Sequence, residues 1–531
     1  MLCDKCQRQE AIVHLTQVIS GRVTRQGLCR TCSREAELTA KPIIEAGWTS
    51  YSPDLQIVRT HFLYLNGELV PTDKPIPVRN PATGETIAQM STCGRDCVAQ
   101  ALADAHTAFQ SWRNVVGRTR GDFLLKIAAE VERRKEEIAK TITLENGKPL
   151  AQSAGEVAMT IDHLRWFAEE ARRGYGRVIP PQAEGKRHLV IKTPLGVVAA
   201  ISPWNFPLVL AVRKVAAALA AGCTVVLKPA SATPLCTVLF AECGHAAGLP
   251  KGVFQLVAGS AVEIAAEFLQ NPLCRKITFT GSTEVGKKLI AGAAAQVKPL
   301  SLELGGHSPV LVFDDADLAK AIEGTMIAKY RNTGQSCIAA NRIYVQRAIA
   351  EQFIPAFVER VKALKVGNGL DPGVDIGPLI NPAAVDLALK HIADAQAKGA
   401  QLLCGGKRHG DAGSAFLEPT VLTGVPGESF GMCDETFAPV AYVNVFDTEA
   451  EAITRANDST FGLAAYVFTR DLSRAFRLME SLEAGMIGIN DGVPTTSNAP
   501  FGGVKQSGWG RELGTEGLDA FLETKHVSLV V

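Results

Sequence analysis

An α/β architecture built on a parallel sheet is the fold class this sequence predicts, and three observations carry it. From Leu195 onward, short β-branched runs alternate with longer Ala-rich segments of helical spacing. Polar, glycine-containing turns follow several of the runs, at the strand ends where ligands bind in sheets of this kind. The 531 residues are 47% hydrophobic and 21% charged, which builds a large core and excludes wholesale disorder. The longest near-apolar run, 215–227, lies between Lys214 and Lys228; it is too short to span a bilayer and reads as core. Lys and Arg total 55 against 54 Asp and Glu, and the resulting +1 supplies no field for nucleic acid or an acidic membrane. Neither is an expected partner.

No apolar leader follows Met1, so the expected compartment is a reducing cytoplasm in which thiols persist. Four of the 13 cysteines form two CxxC pairs, Cys3/Cys6 and Cys29/Cys32, with 22 residues between them. Each CxxC turn presents two thiolates to one ion, and Zn2+ takes four such ligands in a tetrahedron. The intervening stretch alternates over 11–19, turns at Ser20-Gly21 and returns over 23–28, which predicts a hairpin. A unit this small needs the metal for its folding free energy. The alternative is two independent, reduced and redox-active CxxC pairs. Residues 1–38 resemble the N-terminal zinc-ribbon segment of bacterial protein-arginine kinase activator proteins, in both CxxC pairs and in Val13-His14-Leu15-Thr16. The resemblance implies a structural zinc ribbon with a possible protein partner. A zinc tetrathiolate would cancel the segment's net charge of +2, which argues against nucleic acid. Residues 39–60 contain Pro42, Gly47, Ser50, Ser52 and Pro53 without a period and read as a linker.

In the body, strands are expected over 197–202, 224–228, 253–257 and 276–280. Helices are expected over 207–221, 233–247, 261–270 and 283–293. Repeated βαβ units imply a parallel sheet covered on both faces. Around residues 279–288, Gly281, Gly286 and Lys287 have Walker A spacing, but Lys288 stands where a hydroxyl must hold Mg2+. The GxGxxG fingerprint is incomplete there as well. What remains is a strand, a tight turn and a helix N-terminus suited to a pyrophosphate.

Further motifs narrow the reading: Gly334-Gln335-Ser336-Cys337, Leu302-Glu303-Leu304-Gly305-Gly306, Pro203-Trp204-Asn205-Phe206-Pro207 and Phe501-Gly502-Gly503-Val504-Lys505. With Gly281-Ser282-Thr283 they resemble the aldehyde dehydrogenase superfamily, in its order, from about Phe62 to the C-terminus. The resemblance implies the aldehyde dehydrogenase fold: an NAD(P)-binding Rossmann-like domain over 61–185 and 195–304, and a catalytic α/β domain over 305–495. A small β flap at 186–194 and the C-terminal segment 496–531 would serve oligomerisation, with the zinc ribbon added in front.

The same resemblance implies the chemistry. Cys337 would be the nucleophile that adds to the aldehyde carbon. Asn205 and the Cys337 backbone N–H would hold the oxyanion. After hydride transfer to the nicotinamide, Glu303, in a glycine-bracketed loop, would draw a proton from water to hydrolyse the thioester. Lys228 would bond the adenine ribose, Glu435 the nicotinamide ribose and Ser282 the pyrophosphate; Ile201, Ser202, Trp204, Gly281, Leu304 and Phe437 complete the expected cofactor pocket. Ser231, three residues after that lysine, is neither acidic nor bulky and leaves room for a 2′-phosphate, so NADP is expected to be accepted, with NAD beside it. Taken alone, Cys93, Cys97, Cys223, Cys236, Cys243, Cys274, Cys404 and Cys433 read as small buried hydrophobes.

Arg213 and Arg331 fall where the succinate-semialdehyde subfamily places carboxylate-binding arginines, and Thr495 aligns with that subfamily's assisting serine. Succinate semialdehyde is therefore the expected substrate, with another ω-semialdehyde or a broad aldehyde range as the alternative. Cys337 is followed by Ile338-Ala339-Ala340, so no local disulfide switch is expected. Glu303 argues against a CoA-acylating relative. A zinc-ribbon adaptor carrying an inactive body is the alternative of another class, against which the joint presence of Cys337, Glu303 and Asn205 stands. The family implies a homodimer or homotetramer built through 186–194 and 526–531.

Overall fold

A computed structural model describes residues 59–531 and, before them, the backbone of the strands Val13–Ile19, Arg22–Leu28 and Gln56–Ile57. Two parallel sheets organise the body. The first runs, edge to edge, through Gly508–Trp509, Leu300–Glu303, Cys274–Thr280, Val197–Ile201, Thr224–Lys228, Phe254–Leu256, Leu63–Leu65 and Glu68–Val70. Its five middle strands are parallel, and antiparallel strands close both edges. The second sheet carries Gln401–Cys404, Thr420–Thr423, Val440–Phe446, Ala340–Gln346, Ser308–Val312, Ala464–Phe468 and Met486–Ile489, parallel except for the first.

The predicted βα series matches strand for strand and helix for helix, with no end moved by more than two residues. Val197, Val198, Ala199 and Ala200 are wholly buried because helices cover both faces of the sheet, hence the continuous apolar runs. The helix Val209–Ala221 is buried on every side and stops at Gly222, whose φ of 95° suits a residue without a side chain. Burial extends to Arg213 and Lys214, so this helix places two cations inside the protein.

A third sheet pairs Lys186–Pro194 with the C-terminal strand Leu522–Val530 and with Arg177–Ile179. The C-terminal segment is thus already paired within its own chain, yet it forms the sheet edge and exposes Leu529, Val530 and Val531. Among the described residues, no helix is long and apolar enough to cross a membrane.

The N-terminal hairpin forms as expected, Val13 opposite Leu28 and Ile19 opposite Arg22. Cys3, Cys6, Cys29 and Cys32 lie outside the described residues. The expected linker 39–60 is shorter than its composition suggested: Gln56–Ile57 pairs with the first hairpin strand, and Arg59–His61 joins Thr86–Met90. One cysteine assignment is corrected as well. Cys433 is exposed, because it ends the short helix Phe430–Cys433 at the surface, where its thiol donates to the Gly427 carbonyl at 3.3 Å. Cys93, Cys97 and Cys404 are partly buried, and Cys223, Cys236, Cys243 and Cys274 are fully so.

Candidate active site

The Cys337 segment is held by a backbone that few residues adopt. Asn332, Thr333 and Gly334 follow one another at φ of 55°, 57° and 72°, all left-handed. Two of the three are not glycine, so the strain must be held by contacts. The Asn332 amide nitrogen donates to the Asn205 and Gln335 carbonyls, each at 2.9 Å, while Tyr466 Oη donates to the Ile338 carbonyl at 2.7 Å. A Cβ at Gly306 would strike the Cys337 carbonyl, which explains the second glycine of the Glu303 motif.

Asn205 does not cap the helix that follows it; that position belongs to Leu208. Its side-chain nitrogen donates to the Gln335 carbonyl at 3.1 Å, which leaves the second N–H available. Its backbone carbonyl accepts from Lys148 Nζ at 2.7 Å, and Asn146 Nδ2 donates to the Trp204 carbonyl at 2.9 Å. Lys148 is fully buried with Glu156 as its ion partner at 2.7 Å, and Glu156 Oε1 in turn accepts from the Leu208 and Val209 N–H groups. These supports were not identified from the sequence. The available signal was Glu145-Asn146-Gly147-Lys148-Pro149, a polar turn between two helical segments.

Glu303 differs from expectation in one respect: it is the last residue of a strand, opposite Thr280 and Gly508, and not part of a loop. It is buried, and neither carboxylate oxygen has a hydrogen-bond partner. Burial raises its pKa to about 7, and the Glu512 carboxylate adds to the shift. Glu512 itself pairs with buried Lys214, which also donates to Thr280 Oγ1 at 2.7 Å. Burial, then Glu303, hold the Cys337 thiol well above its ordinary value, while Arg213 opposes them. The resting site therefore combines a protonated thiol with a carboxylate that titrates near neutrality.

Of the residues expected to hold a coenzyme, Ile201, Ser202, Lys228, Gly281, Ser282 and Leu304 stand at or just past the carboxyl ends of the first sheet's strands, whereas Glu435 and Phe437 precede a strand of the second. Lys228 ends its strand buried and with no ion partner among the described residues, its pKa lowered by burial; Ser202, after the neighbouring strand, has a buried Oγ without a partner among them. Ser282 caps the helix Thr283–Ala293, accepting from the Val285 N–H at 3.4 Å, and its neighbour Gly281 is partly exposed. Leu304 packs against that helix, and Ile201 lies beside the same cluster. Glu435 accepts from the Gly306 N–H at 3.2 Å, and burial raises its pKa to about 8. Trp204 and Phe437 stand edge to face at 5.5 Å. Ser231 is exposed. A buried ammonium with no ion partner among the described residues and a buried hydroxyl without a hydrogen-bond partner, at the ends of the two strands next in sheet order to the one that leads into the Ser282-capped helix, fit a ribose and a pyrophosphate.

Arg213 and Arg331 take part in no ion pair among the described residues. Each lies over an aromatic face, Arg213 above Phe501 at 4.4 Å and Arg331 above Phe206 at 5.3 Å. Nε and Nη1 of Arg213 and Oγ1 of Thr495 are buried without partners.

A dinucleotide sheet whose strand ends face a buried thiol and an unpaired carboxylate defines a thiol-dependent oxidoreductase. The family model described as Aldehyde dehydrogenase family matches residues 69–527, and the chain belongs to that family. It is 49% identical over 456 residues, 86% of each chain, to a mitochondrial succinate-semialdehyde dehydrogenase of Oryza sativa subsp. japonica. It is 48% identical to a glutarate-semialdehyde dehydrogenase of Pseudomonas aeruginosa, covering 88% of this chain and 97% of that one. A crystal structure described as an E. coli NADP dependent enzyme superposes with a TM-score of 0.88 at 45% identity, covering 89% of this chain and 98% of the other.

The Glu303 shift has a consequence for stability. From pH 4.5 to about 7 the folded chain holds a proton that the unfolded chain has released, so stability falls as pH rises through that window. Glu303→Gln should therefore raise the thermal midpoint more at pH 8 than at pH 5. Equal increments at the two pH values, measured by scanning calorimetry at one scan rate, would contradict the raised pKa.

Proposed function

We propose that this chain oxidises succinate semialdehyde, or an ω-carboxy aldehyde close to it in length, to the acid with NADP or NAD. The observation that carries the substrate class is the pair of arginines without acidic partners among the described residues, together with a buried Thr495 hydroxyl that has no hydrogen-bond partner. Two guanidiniums left unpaired inside a protein are costly, and a distal carboxylate would satisfy both with charge-assisted hydrogen bonds. Relatives named for four- and five-carbon semialdehydes support the same class.

In this reading Glu303 accepts the Cys337 thiol proton, and the thiolate adds to the aldehyde carbon to give a thiohemiacetal. The free N–H of Asn205 and the Cys337 backbone N–H, which has no acceptor among the described residues, stabilise the oxyanion. The nicotinamide coenzyme, when bound, supplies the hydride acceptor. Glu303 releases the thiol proton to solvent and, again a carboxylate, takes a proton from water, whose oxygen attacks the thioester; the acid departs and Glu303 returns that proton to the expelled Cys337 thiolate. Lys228, Ser282 and Glu435 would hold the coenzyme. In the division of labour we infer, the first sheet carries coenzyme, the second carries the nucleophile, and Lys186–Pro194 with Leu522–Val530 joins subunits into a dimer or tetramer through exposed edge residues. A reducing cytoplasm suits the thiol.

We also propose a structural zinc ribbon over 1–38, held by Cys3, Cys6, Cys29 and Cys32 and available to a protein partner. The support is the hairpin register. Val13 stands opposite Leu28, so the described hairpin begins and ends on one side, next in sequence to the two CxxC segments.

Three measurements check these readings. Arg213→Ala should lower kcat/KM for succinate semialdehyde by about a hundredfold while changing that for hexanal much less, since hydrogen bonds to charged groups contribute about 1.5–3 kcal/mol; equal efficiencies for the two aldehydes in the parent enzyme would refute carboxylate recognition. NADP+ should support turnover, and a preference for NAD+ above roughly a hundredfold in kcat/KM would sink the Ser231 argument. Metal quantification on the purified chain should find about one zinc per subunit, lost on Cys3→Ser/Cys29→Ser; a zinc-free protein with an intact N-terminus would remove the ribbon.

A further inference from the structure

His163 lies one helical turn beyond the residues that fix how the helix Leu150–Glu170 meets the buried helix Val209–Ala221. In Leu150–Glu170, Glu156 bonds the Leu208 and Val209 N–H groups at 3.0 and 3.2 Å, and Met159 packs on Phe206, Val209 and Leu210. Four residues further along each helix, on the same faces, stand His163 and Arg213. His163 is 2% exposed, and its Nδ1 has no hydrogen-bond partner. Nε and Nη1 of Arg213, whose charge acts on His163, are equally unsatisfied. Histidines kept only for packing normally satisfy a buried ring nitrogen, and several adjacent polar groups left bare point to a missing ligand.

We propose that His163 is a specificity-determining residue of the distal-anion pocket, donating a hydrogen bond from Nδ1 to the carboxylate that Arg213 grips. The inference rests on the carboxylated-aldehyde reading above. A carboxylate offers about four lone-pair positions, more than one guanidinium edge fills. Two guanidiniums already exceed its single charge, so a further donor is best uncharged. Burial, and then the nearby Arg213 charge, keep the imidazole pKa well below its ordinary value, which leaves His163 neutral and able to donate without adding charge.

The test compares His163→Phe, which removes the donor, with His163→Asn, whose side-chain nitrogen can stand close to the Nδ1 position. Steady-state kinetics are measured on succinate semialdehyde and on hexanal, with thermal midpoints as the folding control. His163→Phe should raise KM for succinate semialdehyde about tenfold more than KM for hexanal, with kcat altered less than about threefold, and His163→Asn should recover most of the loss. Equal KM increases for both aldehydes, or an Asn variant no better than the Phe variant, would overturn the inference. If the Phe variant does not fold, His163→Leu takes its place in the same comparison. Arg213→Ala separates the two levels: a preference abolished by Arg213→Ala but untouched by His163→Phe sinks His163 alone, whereas a preference that survives both sinks the carboxylate reading as well.

Discussion

The Lys148–Glu156 ion pair is the interaction on which the site depends. Buried ion pairs rarely stabilise a fold outright, because desolvation offsets the attraction, but losing one partner leaves an uncompensated charge and costs about 3–5 kcal/mol. Here each partner has further work. Glu156 satisfies two N–H groups at the start of Val209–Ala221, which sets where that helix begins and thus the depth of Arg213 and Lys214. Lys148 donates to the Asn205 carbonyl and lies 4.0 Å from the Phe206 ring centroid, so the same pair fixes Asn205, the proposed oxyanion donor, and the surface beneath Arg331. The coupling extends to adjacent residues further along. Arg213 rests on Phe501 and Lys214 pairs with Glu512, while Phe501 and Glu512 bond one another through their backbones.

Low polarity does the rest. Glu303, Glu435 and Cys337 are all displaced upward chiefly by burial; Glu303 adds to the shift of Glu435, and both carboxylates add to that of Cys337. A thiol held protonated at rest is guarded against oxidation, and a carboxylate near pH 7 can take its proton when a substrate arrives. Supplying a fixed cation beside Cys337 would lower the thiol pKa permanently. Supplying a buried, unpaired glutamate keeps it conditional.

What was legible in the sequence was what is local. The βα series, the Ser282 turn and the hairpin register all follow from periodicity and turn chemistry, which act within a dozen residues. Arg213, Arg331 and Thr495 needed a family resemblance, because nothing near them in sequence reveals that they lack partners. Glu303 illustrates the limit. Its flanking glycines suggested a loop, but Gly508 pairs with it across the sheet and extends the strand, a contact between residues some 200 positions apart. Lys148, Glu156 and His163 were missed for the same reason: a buried charge is recognisable only once its surroundings are assembled. Lys214 even carried the opposite signal, as the polar boundary of an apolar run that turned out to be wholly inside.

The placement of unsatisfied groups separates function from folding. Native structures leave few buried polar atoms without partners, since each costs about 1–3 kcal/mol. Among the described residues 16 such side-chain atoms occur, and half belong to His163, Ser202, Arg213, Glu303, Thr495 and Glu512. A sequence selected for stability alone would have paired or removed them, for instance by replacing Arg213 with an apolar residue on a helix that is otherwise almost entirely Ala, Val and Leu. In the reading proposed above, bound coenzyme, aldehyde and water would complete the hydrogen-bonding of these atoms. The ligand-free protein is correspondingly less stable than its core would permit, and ligand binding and folding stability draw on the same few atoms.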